Sequence, residues 1–139
     1  MHGHGVRSIL LPCAVLVVLL TGCAAEPTPE ERIRTLIREA ETAAEARDAG
    51  EVMAFVAEDF RNERGLARED LRNYLRALFL RYQSIHLLVK VSSIEVIDDY
   101  ASVTVFVAMA GQPLSADNLL MLRADAHRLD LELRERDGD

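Results

Sequence analysis

The sequence predicts an α+β fold in which three N-terminal helices precede a curled antiparallel sheet. Apolar residues recur at helical spacing up to about residue 82 and alternate with polar residues from residue 84 onward. Because the helical and strand patterns occupy separate parts of the chain, the arrangement is α+β and not alternating α/β. The alternating runs exceed the ~5–6 residues of a typical strand, so we expect the sheet to bend around its small core.

The first helix is expected over residues 29–49. Thr28 has the character of an N-cap, Pro29 suits the first helical position, and Glu31 completes a capping box. Apolar side chains then recur at helical spacing and predict one buried stripe: Ile33, Leu36, Ile37, Ala40 and Ala44. Gly50 is expected to end this helix.

A short second helix is expected over residues 51–57 and a third over residues 68–82, with a loop at 59–67 between them. The second should bury Val52, Phe55 and Val56. The third should bury one apolar face, formed by Leu71, Leu75, Leu78, Phe79 and Tyr82. Basic residues in this region suggest either a site for an anionic ligand or, as the simpler interpretation, a solvated face that pairs with the acidic first helix: Arg61, Arg64, Arg68, Arg72, Arg76 and Arg81.

A change of phase in the alternating pattern predicts a β-bulge near Ser92–Ser93. The inward positions before the bulge are Ile85, Leu87, Val89 and Val91, and those after it are Ile94 and Val96. Asp98-Asp99 marks a turn, and the returning strand presents Val103, Val105, Val107 and Met109. A third strand is expected over residues 119–135, with Leu129, Leu131 and Leu133 facing inward.

The N-terminal stretch is typical of an exported lipoprotein. Arg7 precedes an apolar segment, residues 9–20, that is shorter than the ~20 residues of a membrane-spanning helix and suits the core of a signal peptide. Leu20-Thr21-Gly22-Cys23 follows and resembles the bacterial lipobox, where the chain is cut before the cysteine and lipid is attached to its sulfur. An ordinary secretory signal and an uncleaved anchor are the alternatives.

The resemblance to bacterial lipoproteins implies a diacylglycerol thioether and an amide-linked acyl chain, such as palmitate, on Cys23. Two or more acyl chains anchor a protein stably, whereas a single chain does not. Ala24 follows the cysteine in place of an aspartate, which in lipoproteins favours the outer membrane, with the domain facing the periplasm. The expected organisation is a signal peptide over 1–22, a lipidated tether over 23–28 and one domain over 29–139.

Composition excludes several classes of function. The whole chain has a formal net charge of −7, and the expected signal peptide removes only one charged residue, Arg7. Binding to nucleic acid is therefore not expected. Cys13 would leave with the signal peptide and Cys23 would carry lipid, so the mature chain could form no internal disulfide.

The order of the elements resembles the NTF2-like superfamily, which includes SnoaL-like and ketosteroid-isomerase-like proteins. The resemblance rests on the long first helix, the segment GEVMAFVAEDF at 50–60, the third helix and the long paired strands. It implies a cone in which a bent sheet wraps the helices and leaves a pocket at its open end. It does not imply one activity, since the same fold serves enzymes and non-catalytic modules.

The C-terminus departs from the pattern of that superfamily, where another strand normally follows. Here the chain ends at Arg136-Asp137-Gly138-Asp139. The third strand is therefore expected to be an edge of the sheet in the monomer, lacking the last strand of the fold. Either the domain is a truncated version of the fold, or a second copy pairs at this edge to form a homodimer.

Ketosteroid-isomerase-like chemistry would need a carboxylate base and oxyanion donors in the pocket. The candidate catalytic residues are Asp125, His127, Tyr74 and Asp59, and the candidate pocket residues are Phe55, Phe60, Tyr74 and Tyr82. His127 shares strand parity with Leu129, so an inward pair with Asp125 is one hypothesis and a solvated or structural pair is the other. For Tyr74, a core position is favoured over an oxyanion donor.

The leading hypothesis is a membrane-anchored lipoprotein whose non-catalytic NTF2-like domain binds a small apolar ligand or a protein partner. An acid-base enzyme of the ketosteroid-isomerase or SnoaL type is the first alternative, and a truncated domain with only a structural role is the second. No metal or other cofactor is expected, because the sequence lacks metal-ligand spacings, nucleophile motifs and a glycine-rich phosphate loop.

Overall fold

Three helices and a three-stranded antiparallel sheet form the fold of the part of the chain described by a computed structural model, residues 25–113, 115–116 and 125–136. The elements are α1 (Pro29–Glu45), α2 (Ala49–Ala54), α3 (Arg68–Arg81), β1 (His86–Ile97), β2 (Tyr100–Ala110) and β3 (His127–Arg134). The predicted α+β order is confirmed. The predicted signal peptide, Cys23, and the 119–124 part of the third predicted strand lie outside the described residues.

Helix α1 begins where local side-chain chemistry predicts. The Thr28 hydroxyl accepts a hydrogen bond from the Glu31 amide at 3.2 Å, and the Glu31 carboxylate accepts one from the Thr28 amide at 2.8 Å. This reciprocal pair satisfies two donors that a helix start leaves free. The predicted capping box is therefore confirmed.

The end of α1 differs from the prediction, because the helix stops at Glu45 and Gly50 lies inside α2. The residue that turns the chain is Arg47, whose φ of 57° is left-handed. The amides of Arg47 and Asp48 each donate back into the last turn at 3.0 Å, to the carbonyls of Ala44 and Ala43. This is the Schellman arrangement, here without the usual glycine.

The sheet forms in the order β1-β2-β3, with antiparallel pairing throughout. The register shifts between Val91 and Ser93, which confirms the predicted bulge. Ile97 pairs with Tyr100 across the predicted Asp98-Asp99 turn. Within the described chain β3 pairs only with β2, so it is the expected edge strand.

The main core lies between α1 and one face of the sheet. Ile37 packs there with Ala101, Val103 and Val105 of β2. Seven half-buried apolar residues complete this layer: Ile33, Val89, Val91, Ile94, Val107, Leu131 and Leu133. Leu131 and Leu133 therefore face inward as predicted, whereas Leu129 is 45% exposed.

Two contacts fix the direction in which α1 crosses the sheet. The Glu45 carboxylate at the end of α1 accepts a hydrogen bond from the Leu87 amide at 2.7 Å. Near the other end of α1, the Arg32 guanidinium pairs with the Glu135 carboxylate at 2.8 Å, and the Glu135 amide bonds to the Asp99 carbonyl at 2.8 Å. Helix α1 therefore begins near the β1–β2 turn, called the tip, and ends near the Leu87 end of the sheet, called the base.

No helix among residues 25–113, 115–116 and 125–136 is long and apolar enough to span a bilayer.

The turn at the tip gives a stability prediction. Asp98 has a left-handed φ of 52°, whereas the φ of Asp99 is not positive. A glycine at position 98 removes the steric strain of a left-handed φ, whereas a glycine at position 99 only increases the conformational entropy of the unfolded chain. We therefore expect Asp98→Gly to be more stable than Asp99→Gly by about 1 kcal/mol. Urea denaturation of the two variants measures the difference. Equal midpoints at equal slopes would contradict this account of the turn.

Candidate functional site

An open groove lies where the loop before α3 meets the start of that helix. Its volume is about 610 Å³, and its lining residues are Glu58, Asp59, Phe60, Arg61, Ala67, Arg68, Glu69 and Arg72. Three of these side chains are basic and three are acidic, so the groove carries no excess of positive charge. It is a polar surface groove open to solvent and not an apolar pocket.

Two of the three arginines that line this groove already have partners within the protein. The Arg68 guanidinium donates to the carbonyl oxygens of Met53 and Val56, at 2.9 and 3.1 Å, and so satisfies the end of α2. The Arg72 guanidinium pairs with Glu69 of its own helix at 3.0 Å. These partners lie in α2, just after α2 and in α3, not in α1 as the simpler interpretation of the basic residues expected. The groove is therefore a poor site for an anionic ligand.

Asp59 lies at the rim of the groove and is unsuited to act as a base. Its carboxylate oxygens accept hydrogen bonds from the Arg134 guanidinium at 3.1 and 3.2 Å. This partner holds the pKa of Asp59 below its usual value. The ion pair therefore stabilises the fold at pH values above the ordinary aspartate pKa, and that stabilisation is lost as the pH falls through the lowered pKa of Asp59.

The other acid-base candidates lie apart from this groove. His127 opens β3 opposite Val107, on the sheet face that α1 covers, as its parity predicts. Its side chain is nevertheless exposed, as is that of Asp125. The expected inward position is therefore not seen, since α1 contacts β1 and leaves the start of the edge strand open to solvent.

The aromatic candidates are also dispersed. Tyr74 is 63% exposed on α3 and does not occupy the core position favoured for it, while Phe55 is 38% exposed at the end of α2. Phe60 is half-buried and lines the groove. Tyr82 is half-buried after α3, beside Gly111. These four rings do not enclose a single pocket.

Two glutamates at the base, Glu41 and Glu45, were not singled out in the sequence. Glu41 lies one turn after the buried Ile37 and one turn before Glu45, whose carboxylate contacts the start of β1. This spacing places Glu41 on the side of α1 that faces the sheet. The sequence did contain one indication of Glu41: it follows Ile33 and Ile37 at a spacing of four residues, where the helical pattern predicts an apolar residue.

Burial raises the pKa of the Glu41 carboxyl, and the nearby Glu45 carboxylate raises it further. A half-buried carboxyl that protonates more easily than usual can donate a hydrogen bond as well as accept one. Perturbed carboxyls of this kind are enriched at binding and catalytic sites. The feature that makes Glu41 a candidate site residue is its position on the sheet-facing side of α1.

The sheet beneath this part of α1 presents an apolar surface. In β1 and β2 it consists of two paired rows, Leu87 with Met109 and Val89 with Val107. All four side chains are half-buried, in contrast to the fully buried Val103 and Val105 nearer the tip. We call these four residues the base floor. Together with Glu41 it is the best candidate for a ligand site in the described structure.

Metal binding has no support in the part of the chain that the structure describes. Residues 25–113, 115–116 and 125–136 contain no group of three or more histidine, cysteine, aspartate or glutamate side chains that could hold a metal ion.

The pKa of Glu41 should respond to its neighbour. Replacing the charged neighbour by Glu45→Gln removes like-charge repulsion but keeps an oxygen that can accept the Leu87 amide, so the pKa of Glu41 should fall. Glu39→Gln, on the opposite side of α1, is the matched control and should leave it unchanged. Carboxyl-carbon NMR titration measures both, and an equal response to the two variants would contradict the assignment.

The raised pKa also predicts the sign of a stability change. A carboxyl whose pKa is higher in the folded chain loses stabilisation as the pH rises through that value. Glu41→Gln should therefore raise the melting temperature at pH ~7 and have no effect near pH ~3, where Glu41 is protonated in both states. A loss of stability at neutral pH would show that the Glu41 charge has a favourable partner.

Comparison with known proteins shows the fold of this chain but not its activity, ligand or partner. No protein-family model matches the sequence, and no curated protein matches it. A proposed dehydratase of the NTF2-like family from Streptomyces avermitilis has a TM-score of 0.56 at 15% identity, covering 79% of this chain and 89% of that one.

Two further solved structures are similar over the same extent. A proposed calcium/calmodulin-dependent protein kinase type II association domain from Thiobacillus denitrificans has a TM-score of 0.56 at 18% identity, covering 80% of this chain and 86% of that one. A protein of unknown function with a cystatin-like fold from Nostoc punctiforme has a TM-score of 0.54 at 17% identity, covering 80% and 84%. The chain therefore has the NTF2-like fold, with three helices packed on a curled antiparallel sheet.

Proposed function

We propose that this chain is a lipid-anchored protein of the bacterial cell envelope whose NTF2-like domain binds a small apolar ligand without catalysis. The anchor is the lipid on Cys23, and the expected location is the outer membrane, with the domain facing the periplasm. The ligand site is the base floor beneath Glu41. A protein partner that covers the same surface is the alternative occupant.

Support for the anchor comes from the sequence. The apolar segment, the four residues ending at Cys23 and the short Pro-containing tether follow one another in the order that lipid attachment requires. Residues 25–28 are exposed and non-helical before α1 begins at Pro29, which suits a tether.

The observation that carries the binding proposal is the half-buried base floor. Val89 and Val107 of this floor also pack against the main core, whereas Leu87 and Met109 are half-buried outside it. Half-buried apolar side chains with a few polar groups at their margin are typical of a ligand site. Glu41 supplies such a polar group. The acid-base candidates of the sequence, in contrast, lie exposed or ion-paired at separate places in the described structure, which favours binding over catalysis.

One observation favours the acid-base alternative, namely the raised pKa of Glu41. A carboxyl of this kind is a reasonable general acid or base near the same floor. The two functions differ in what Glu41→Gln would do: it would abolish turnover of a substrate but largely preserve binding of an apolar ligand.

The anchor is tested by Cys23→Ser in the full-length chain expressed in a bacterial host. We expect the wild type to partition with membranes and to carry the mass of its acyl chains, since two or more chains hold a protein stably on a bilayer. The serine variant should be released and lack that mass. Membrane partition unchanged by the substitution would contradict the proposed anchor.

Ligand binding is tested by titrating the lipidated protein in detergent with decanoate, a simple apolar acid, by calorimetry. Met109→Asp places a charge in the base floor, outside the residues that pack against the main core, and should weaken binding about tenfold, or ~1.4 kcal/mol. Ser102→Asp, on the exposed opposite face of β2, is the matched control and should bind like the wild type. Thermal melting checks that both variants fold, and saturable binding that Met109→Asp leaves intact would place the ligand elsewhere.

A further inference from the structure

The tip carries exposed apolar side chains with no cover in the described structure. Ile97 is 70% exposed, Tyr100 is 59% exposed and Val96 is 43% exposed. The two-residue turn holds Ile97 directly opposite Tyr100, so these two side chains project together from the end of the hairpin. Val96 pairs with the buried Ala101 and lies on the other face of the hairpin. Elsewhere in β2 the apolar positions at the centre of the face that α1 covers, Ala101, Val103 and Val105, are buried.

The tether leaves the domain at the same end. Arg32 contacts Glu135, and Glu135 bonds to Asp99 of the turn, so the first turn of α1 lies beside the tip. Pro29 precedes Arg32 by about one helical turn, or ~5 Å. Cys23 precedes Pro29 by six residues, which span at most ~20 Å when fully extended. A lipid on Cys23 would therefore hold the tip, and not the base, against the bilayer.

We propose that the tip docks into the interface of the bilayer that holds the Cys23 lipid, with Ile97 and Tyr100 as its contacts. This inference rests on the proposed lipid anchor. A tyrosine ring places its apolar body among the acyl chains and its hydroxyl among the headgroups. The short tether maintains a high local concentration of the tip at the membrane, so a small apolar contact is enough.

The charge around the tip determines which lipid surface it fits. Asp98 and Asp99 form the turn itself and are exposed, whereas the nearby Arg32 and Arg134 are held in ion pairs with Glu135 and Asp59. Arg136 adds one exposed positive charge beside Glu135, so the acidic side chains still outnumber the basic ones around the turn. Anionic lipids would repel this acidic turn. The occupant is therefore a zwitterionic lipid surface, and the base, with its ligand site, faces away from it.

The test places an environment-sensitive fluorophore at the tip or at the base of the lipidated chain. If Cys13 is removed and Cys23 acylated, the mature chain has no other thiol, so Ile97→Cys and Leu80→Cys each give one labelling site. Leu80 is the matched control because it is 88% exposed near the end of α3, which Arg47 ties to the end of α1 at the base.

On phosphatidylcholine vesicles, iodide quenching at position 97 should fall about threefold relative to detergent solution, and nitroxide-labelled lipid should quench the fluorophore. At position 80, iodide quenching should stay as in detergent solution, and nitroxide-labelled lipid should not quench the fluorophore. Adding phosphatidylglycerol at low salt should weaken the protection at position 97. Thermal melting of both variants shows that the label leaves the fold intact.

The remaining outcomes overturn the inference in distinguishable ways. If mass spectrometry confirms acylation but positions 97 and 80 respond alike, the tip does not dock and the proposed anchor still stands. Protection from iodide at position 97 without quenching by labelled lipid would mean that protein, such as a second copy of the chain, covers the tip. A mature chain without acyl groups would remove the proposed anchor itself, and the docking inference with it.

Discussion

The packing of one apolar stripe of α1 against the inner face of the sheet is the constraint on which the rest of the domain depends. Ile37 sits against Val103 and Val105, which are 1% and 2% exposed. Burial of a side chain of this size contributes roughly 1.5–3 kcal/mol. Because a mature chain acylated at Cys23 would have no disulfide, this layer must hold the sheet in its curled shape. The orientation of α1 in turn determines that the tether lies at one end of the sheet and Glu41 at the other.

Arginine side chains donate hydrogen bonds to backbone carbonyl groups that the ends of α2 and α3 leave unpaired. The guanidinium of Arg68 bonds to two carbonyls at the end of α2, and that of Arg47 bonds to two carbonyls at the end of α3. Each replaces hydrogen bonds that water would otherwise supply. Of the basic residues that suggest an anion site in the sequence, Arg68 is engaged with the backbone and Arg72 pairs with Glu69. These two arginines therefore stabilise the helices and do not form a site for an anionic ligand.

Features set by neighbouring residues were predictable from the sequence, and features set by tertiary contact were not. The start of α1 follows from Thr28 and Glu31, and the bulge follows from the phase of alternation, because both depend on residues close in the chain. The end of α1 was not predictable, since the left-handed Arg47 is supported by contacts with residues more than thirty positions away. The face of His127 was predictable from parity, but its exposure depends on how far α1 extends across the sheet.

Arg47 shows how one position can serve two helices at once. Its backbone turns the chain out of α1, while its side chain holds the carbonyls of Phe79 and Tyr82 at 3.4 and 3.0 Å. A glycine at this position would relax the left-handed backbone but would remove the side chain whose single Nη1 atom donates to both carbonyl oxygens of α3. Arg47 thereby fixes the position of the last turn of α3 relative to the last turn of α1. Because β1 follows α3 after a few residues, the same arginine also fixes the point where the chain enters the sheet.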